Sequence, residues 1–299
     1  MKLKCISFFF LVATLHAQKP ILPDFHADPS IHVWDHRYWI YPSTDEPGSK
    51  DWTEMKKWHT YSSKDLVHWK HEGEIFNLEE VSWAKNSAFA PDAMKWKGIY
   101  YFFFPAEFQI GVAISTKPNG LFKDALGKPL IGTEEVKGVL SFDPHIFIDD
   151  DNTPYLFYGG GNGVAVAKLK DNLTEIDGEI KKLDLKNYHE GIWVHKKNNI
   201  YYFTYPTMIT RNGKDKQLLV YSTAPTPLGP FTYKGAFFDN DSRNSHHSII
   251  KIKEKWYLFY HIQGPSPYER RVCADYLEYD ENGDIKEVKM TKTGIKALR

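Results

Sequence analysis

Five times along this chain a β-rich stretch meets a short polar turn and then an aromatic strand. The segments are "DPSIHVWDHRYWIY" from Asp28, "APDAMKWKGIYYFFF" from Ala90, "DPHIFIDDDNTPYLFY" from Asp143, "EGIWVHKKNNIYYFTY" from Glu190 and "HHSIIKIKEKWYLFYH" from His246. Each reads as a hairpin, with turns at Asp35-His36, Lys97-Gly98, Asp150-Asp151-Asn152, Asn198-Asn199 and Glu254-Lys255. A third strand, a turn rich in Asp, Pro, Asn or Gly, and a short final strand follow each hairpin, as in "VAVAKLKDNLTEIDG". Four strands per unit, five units and starts roughly 50 to 60 residues apart are the signature of a propeller. No amphipathic helical segment of useful length interrupts the pattern, and a β-sandwich would not repeat it five times. The expected fold is therefore all-β: a five-bladed β-propeller with four antiparallel strands per blade.

The 299 residues suffice for one such domain. Residues 1–17, "MKLKCISFFFLVATLHA", have the layout of a signal peptide: Lys2 and Lys4, an apolar stretch from Ile6 to Leu15, and small Ala17 before Gln18. That stretch is too short to span a bilayer. The expected organisation is a signal peptide over 1–17 and one catalytic propeller over 18–299, in a secreted or periplasmic protein. With the leader removed, Cys273 is the only cysteine, so the core rather than a disulfide must hold the fold. Lys+Arg and Asp+Glu both number 38. This balance argues against nucleic acid or an anionic membrane as the partner. A monomer is expected, and the chain ends too soon after the fifth unit for an appended carbohydrate-binding domain.

Counting back ten to twelve residues from the first aromatic of each second strand lands on Asp28, Ala90, Asp143, Glu190 and His246. Inner strands of a propeller line its axis, so these five positions converge at one end of the central channel. A single strand-initiating Asp is ordinarily a turn cap. Three carboxylates around one cavity repel one another, and function is the reason to keep such an arrangement. Paired carboxylates are the minimal apparatus of glycoside hydrolysis, one protonated to donate and one ionised to activate water or attack. Spacing alone leaves open which acid plays which part. Aromatics make up 15% of the chain; they serve strands in general, and some can stack on sugar rings.

"HADPS", "APDA", "FDPHIFIDDD", "HEGIWVHKK" and "HHSII…KWYLFYH", in this order, resemble glycoside hydrolase family 43 over essentially the whole mature chain. That family comprises five-bladed propeller enzymes acting on plant-type polysaccharides. The resemblance implies Asp28 as general base, Asp143 as the residue that tunes and orients the acid, Glu190 as general acid, and inversion at the anomeric centre. It places His246 on the axis beneath the sugar, where it binds a water cluster or a metal, a structural Ca2+; no cofactor is otherwise required. His247 would then point away from the axis. Arg270, in "ERRVCADYL", is implied to hold Asp143 ionised and to bond the sugar.

Further substrate contacts are expected from Phe89, from Trp83 in a loop overhanging the pocket, and from Asp45 or Trp52 in the insertion "PSTDEPGSKDWTEMKKW". The implied activity is release of arabinofuranosyl or xylosyl residues from arabinose- or xylose-containing glycans by an α-L-arabinofuranosidase or β-xylosidase. A galactosidase acting on galactan side chains is an alternative of the same fold. A retaining fructan-acting propeller lacks support, because "NDPNG" and "RDP" are absent. A non-catalytic sugar-binding propeller is disfavoured by the complete Asp, Asp, Glu set.

Overall fold

The computed structural model describes residues 19–298; the expected signal peptide lies outside them. Blade 1 consists of β1 (His26–Trp34), β2 (Arg37–Thr44), β3 (Lys57–Ser63) and β4 (Trp69–Asn77). Blade 2 consists of β5 (Asp92–Trp96), β6 (Ile99–Ala106), β7 (Gln109–Ser115) and β8 (Lys123–Asp124). Blade 3 contains β9 (His145–Ile148), β10 (Pro154–Gly160), β11 (Gly163–Lys168) and β12 (Lys181–Leu183). Blade 4 contains β13 (Trp193–Lys197), β14 (Ile200–Arg211), β15 (Lys214–Ala224) and β16 (Thr232–Phe238). Blade 5 has β17 (His247–Ile252), β18 (Lys255–Ile262) and β19 (Arg271–Leu277). Its outer edge is completed only by an isolated antiparallel bridge between Tyr279 and Ile285. Strands run in sequence order within every sheet, and neighbours pair antiparallel. The molecule is a five-bladed β-propeller.

Local chemistry explains the hairpins. Asp35 and His36 both have positive φ (51° and 60°), as do Asn198 and Asn199 (51° and 60°). Two-residue turns with both φ positive match the right-handed strand twist, and Asn and Asp tolerate that region best. The last turn falls one residue earlier than expected, at Lys253-Glu254, because Lys253 takes the positive φ and Lys255 already pairs with Ile252.

Alternation along each strand gives every blade two apolar faces, and packing therefore occurs between blades. Five buried clusters fill the five wedges, including one that joins blade 5 back to blade 1 through Ile31, Ile40, Tyr61, Tyr257, Phe259 and Val272. Most of the aromatic residues are spent here, as in the Trp58, Phe76, Phe102 and Phe104 group. Fully burying one such side chain stabilises the fold by about 1.5–3 kcal/mol. Cys273 lies in the blade 4–5 wedge, where burial pushes its thiol up to about 12. Ring closure adds hydrogen bonds from the N-terminal segment to β19 and its approach, Ile21 N to Val272 O and His26 N to Arg270 O.

Candidate active site

The five axial positions do not open the inner strands as expected: Asp28 falls inside one, and the other four lie just before theirs. Asp28 interrupts the β1–β2 register between Ala27 and Ser30, whereas Ala90, Asp143, Glu190 and His246 precede β5, β9, β13 and β17. Backbone conformation explains the difference. Asp28 and Asp143 both have φ +50°, and each precedes a proline. A non-glycine residue in this region costs about 1–3 kcal/mol, and a residue before proline prefers an extended conformation. The same strained Asp-Pro unit thus occurs twice, kinking the chain at the mouth of the channel. Glu190 is presented differently, by Gly191 at φ +61°. A Cβ on Gly191 would lie 3.3 Å from the His246 ring and from Pro206, so glycine is required on both counts.

Asp28, Asp143, Glu190, His246 and Arg270 line one cavity of about 210 Å³ together with Trp52, Phe89, Ala90, Phe108, Phe142 and Asn244. Pockets for drug-sized ligands occupy roughly 300–1,000 Å³, so this one suits a single sugar ring. Phe89, Phe108 and Phe142 form a triad, with centroids 5.9 to 6.4 Å apart.

Asp28 is buried and fully engaged. Ser43 Oγ donates to Oδ2 (2.6 Å), and Arg270 Nη1 donates to Oδ1 and Oδ2 (3.0 and 3.2 Å). His261 Nδ1 sits 3.2 Å from both Oδ1 and the Asp28 amide. Burial alone would raise its pKa, but Arg270, then His261 and His246, together hold the carboxyl far below the usual range. Asp28 is the ionised member of the set.

Asp143 behaves in the opposite way. Burial first, then the charges of Glu190 and Asp28, push its carboxyl well above the ordinary value; Arg270 and the Gly191 amide only partly oppose this. The expectation that Arg270 holds Asp143 ionised is therefore corrected. The guanidinium is committed to Asp28 through Nη1, to Asn244 Oδ1 (2.9 Å) and to Asp45. Asp143 is thus the cavity carboxyl that favours its protonated form, beside Glu190.

Glu190 receives Gln217 Nε2 (2.7 Å) and Asn244 Nδ2 (3.0 Å), both on Oε1. On Oε2 there is only His189 Nε2, 3.8 Å away. Two amide donors thus fix the carboxyl and leave its second oxygen available to carry a proton. His246 Nδ1 is 3.8 Å from both Asp28 Oδ1 and Asp143 Oδ2, placing the ring between the two acids. Burial outweighs the Asp28 charge and lowers His246 to about 4, so it is neutral at ordinary pH. His247 points away from the pocket, with Nε2 2.7 Å from Thr204 Oγ1.

Two expected substrate contacts are corrected. Asp45 is buried and outside the cavity; its carboxylate clamps Arg270 Nη2 (2.7 Å) and Nε (3.0 Å) and accepts the Arg270 amide (2.8 Å). It positions the arginine rather than touching sugar. Trp83 does not overhang the pocket. Its ring stacks on Phe104 and its Nε1 donates to Asp124 (2.9 Å). Gly111 permits this packing, since a Cβ there would lie 2.6 Å from the indole. Trp52 does line the cavity, from a 3-10 turn capped by Asp51, with the Arg270 guanidinium 4.8 Å over its ring.

The expected metal site at His246 is tested by the surrounding donors. Ca2+ takes 6–8 oxygen ligands. Asp28 already accepts from Ser43 and Arg270, and Asp92, the neighbouring buried axial carboxylate, accepts from Ser30, His32, His145 and two amides. Among the described residues no three His, Cys, Asp or Glu side chains converge as ligands. These residues do not fit a protein-built Ca2+ cage. Asp92 fastens blades 1, 2 and 3 at the axis, and burial is outweighed there by His145 and His32, which keep it ionised.

Phe108, Phe142, Asn244 and Gln217 escaped the sequence reading. Phe142 was detectable, since it precedes Asp143 as Phe89 precedes Ala90. Phe108 stands on the β6–β7 turn, where Glu107 and Phe108 both have positive φ. Asn244 and Gln217 carry no motif at all.

A propeller with an ionised Asp, a proton-retaining Asp, a neighbouring Glu and aromatic rings around one sugar-sized cavity defines a glycoside hydrolase. Comparison with known proteins gives the family. Residues 17–285 match the family described as glycosyl hydrolases family 43, and the chain belongs to it. It is 32% identical to a xylosidase/arabinosidase of Bacteroides ovatus, over 88% of this chain and 94% of the relative. A β-D-galactofuranosidase of Aspergillus niger is 31% identical, over 93% of this chain and 87% of its own length. Among solved structures, a family 43 β-xylosidase/α-arabinofuranosidase from a compost metagenome, in complex with xylotriose and in a calcium-free form, superposes with a TM-score of 0.80. It is 28% identical, covering 91% of this chain and 97% of that one.

Proposed function

We propose that this glycosidase is an inverting, secreted or periplasmic pentosidase that releases arabinofuranosyl or xylosyl residues from plant-type oligo- and polysaccharides. The observation that carries the reading is the electrostatic division within one cavity. Arg270 keeps Asp28 ionised, while burial and then the charges of Glu190 and Asp28 favour a protonated Asp143. Asp28 takes a proton from water as the water oxygen attacks the anomeric carbon. Glu190 gives its proton to the departing glycosidic oxygen. Asp143 raises the proton affinity of the pair, and His246, neutral between the acids, holds them without adding charge. The relatives named xylosidase/arabinosidase supply the sugar class, and the small cavity suits a terminal ring. Secretion rests on the sequence of residues 1–17 alone.

A nitrophenyl panel of α-L-arabinofuranoside, β-D-xyloside, galactopyranoside and β-D-galactofuranoside tests the sugar. The last substrate covers a second reading, hexofuranoside release, favoured by the Aspergillus niger relative. Product anomers followed by NMR test the stereochemistry. First appearance of the retained anomer would remove Asp28 from the role of base. Detection of the mature N-terminus at residue 18 in culture medium or periplasm tests the location.

A further inference from the structure

A second cavity, of about 640 Å³, opens where blades 4 and 5 meet at the far end of the propeller. Its lining includes Lys197 at the end of β13, Lys251 and Lys255 beside the β17–β18 turn, Lys296, Trp256 and Tyr276. Asp143, Glu190 and His246 precede their inner strands and this turn follows one. With six residues in β17 at about 3.3 Å each, the two cavities lie roughly 20 Å apart, on opposite faces.

The charges here are not mutually satisfied. Lys251 pairs with Glu254 (3.3 Å), and Glu278 pairs with Lys286 (3.4 Å). Asp280 is used by the backbone amides of Asn282 and Asp284 (both 2.9 Å). Lys197, Lys255 and Lys296 have no carboxylate partner among the described residues. Two of them rest on aromatic faces instead, Lys197 over Tyr279 (4.6 Å) and Lys255 over Tyr276 (5.3 Å). The indole N–H of Trp256 also has no protein acceptor there, although its ring is anchored against His195 and Tyr279. The lining carries four lysines against three carboxylates (Glu254, Glu278 and Asp280), and the three lysines without a carboxylate partner share one aromatic-floored groove with a free indole N–H, which leaves room for an added anion. An aromatic floor selects an anion carried on a ring rather than a bare inorganic ion.

We propose that this groove is a secondary glycan-binding site for a uronate-bearing polysaccharide, with the sugar carboxylate at Lys197, Lys255 and Lys296 and a neighbouring ring against Trp256. This rests on the reading of the enzyme as acting on plant-type xylans, whose acidic decorations would supply the carboxylate. The groove then holds the polymer while the catalytic cavity samples its exposed ends.

Affinity electrophoresis of the full chain carrying Glu190→Gln tests the proposal. Gels contain uronate-substituted xylan, the same xylan after carboxyl reduction, or neutral arabinoxylan, with dextran sulfate as a general polyanion. Expected is retardation by the uronate-substituted xylan, at least fivefold weaker after carboxyl reduction. Lys197→Gln/Lys255→Gln in the same background should abolish it. With Glu190 restored, that double variant should hydrolyse nitrophenyl pentosides at the wild-type rate. Equal retardation on neutral and acidic xylan overturns the proposal, as does retardation by dextran sulfate of the same size, or indifference to the lysine substitutions. Nitrophenyl turnover reports on the pentosidase reading separately: a chain that binds acidic xylan but cleaves no pentoside refutes that reading and leaves the binding site standing.

Discussion

Arg270 Nη1 donates to both carboxylate oxygens of Asp28, at 3.0 and 3.2 Å, across 242 positions of sequence. Asp45 grips the rest of the guanidinium from the opposite side. This buried Asp–Arg–Asp chain holds the Asp28 carboxyl ionised.

Asp28→Asn is expected to lower kcat/KM roughly 10³-fold, the scale of losing a general base, because it removes the cavity carboxylate that Arg270 holds ionised. The folded-state pKa of Asp28 is depressed. Its contribution to stability is therefore complete above the unfolded value of about 3.9 and is lost as pH falls below it. The wild type should lose melting temperature between pH 4 and pH 2 more steeply than Asp28→Asn, as followed by circular dichroism.

Asp143→Asn should separate activity from stability. Its folded pKa is raised, so the wild type loses stability as pH rises from about 3.9 through the higher folded value. At pH 7 the variant should melt at a higher temperature than the wild type. Its alkaline limb of kcat/KM should move to lower pH, since Glu190 no longer shares a proton with a like charge. An unmoved limb would show that the coupling does not set the acid.

Asp45→Ala leaves Arg270 with half its partners. Breaking a buried ion pair costs about 3–5 kcal/mol, measurable by urea denaturation. The catalytic effect should fall on kcat rather than KM, because Asp45 reaches the reaction only through Arg270 and Asp28.

Phe108, rather than the expected Trp83, should contact the substrate. Phe108 is 42% exposed at the cavity wall, so Phe108→Ala should raise KM several-fold with little change in melting temperature. Trp83 packs behind blade 2 on Phe104. Trp83→Ala should cost about 2–3 kcal/mol of stability and leave KM unchanged in steady-state assays.

The sequence by itself determined the architecture and the three acids. A period of four strands, repeated five times, has few ways to bury its apolar faces, and equivalent positions in the repeats must meet at the axis. Asp28, Asp143, Glu190 and His246 were legible because each opens a copy of the same unit. What the repeat does not encode was decided by tertiary structure. The partner of Arg270 depends on which acid lies within hydrogen-bond reach after ring closure, and this turned out to be Asp28. Asp45 and Trp83 were misread because a loop residue's direction follows from what packs beneath it: the guanidinium in one case, Gly111 and Phe104 in the other. Gln217 and Asn244, which fix the acid, come from a third strand and from the approach to a later blade. Their amides acquire meaning only once those segments are brought against Glu190, because hydrogen bonds between residues so distant in sequence are set by the closed ring and by no local preference.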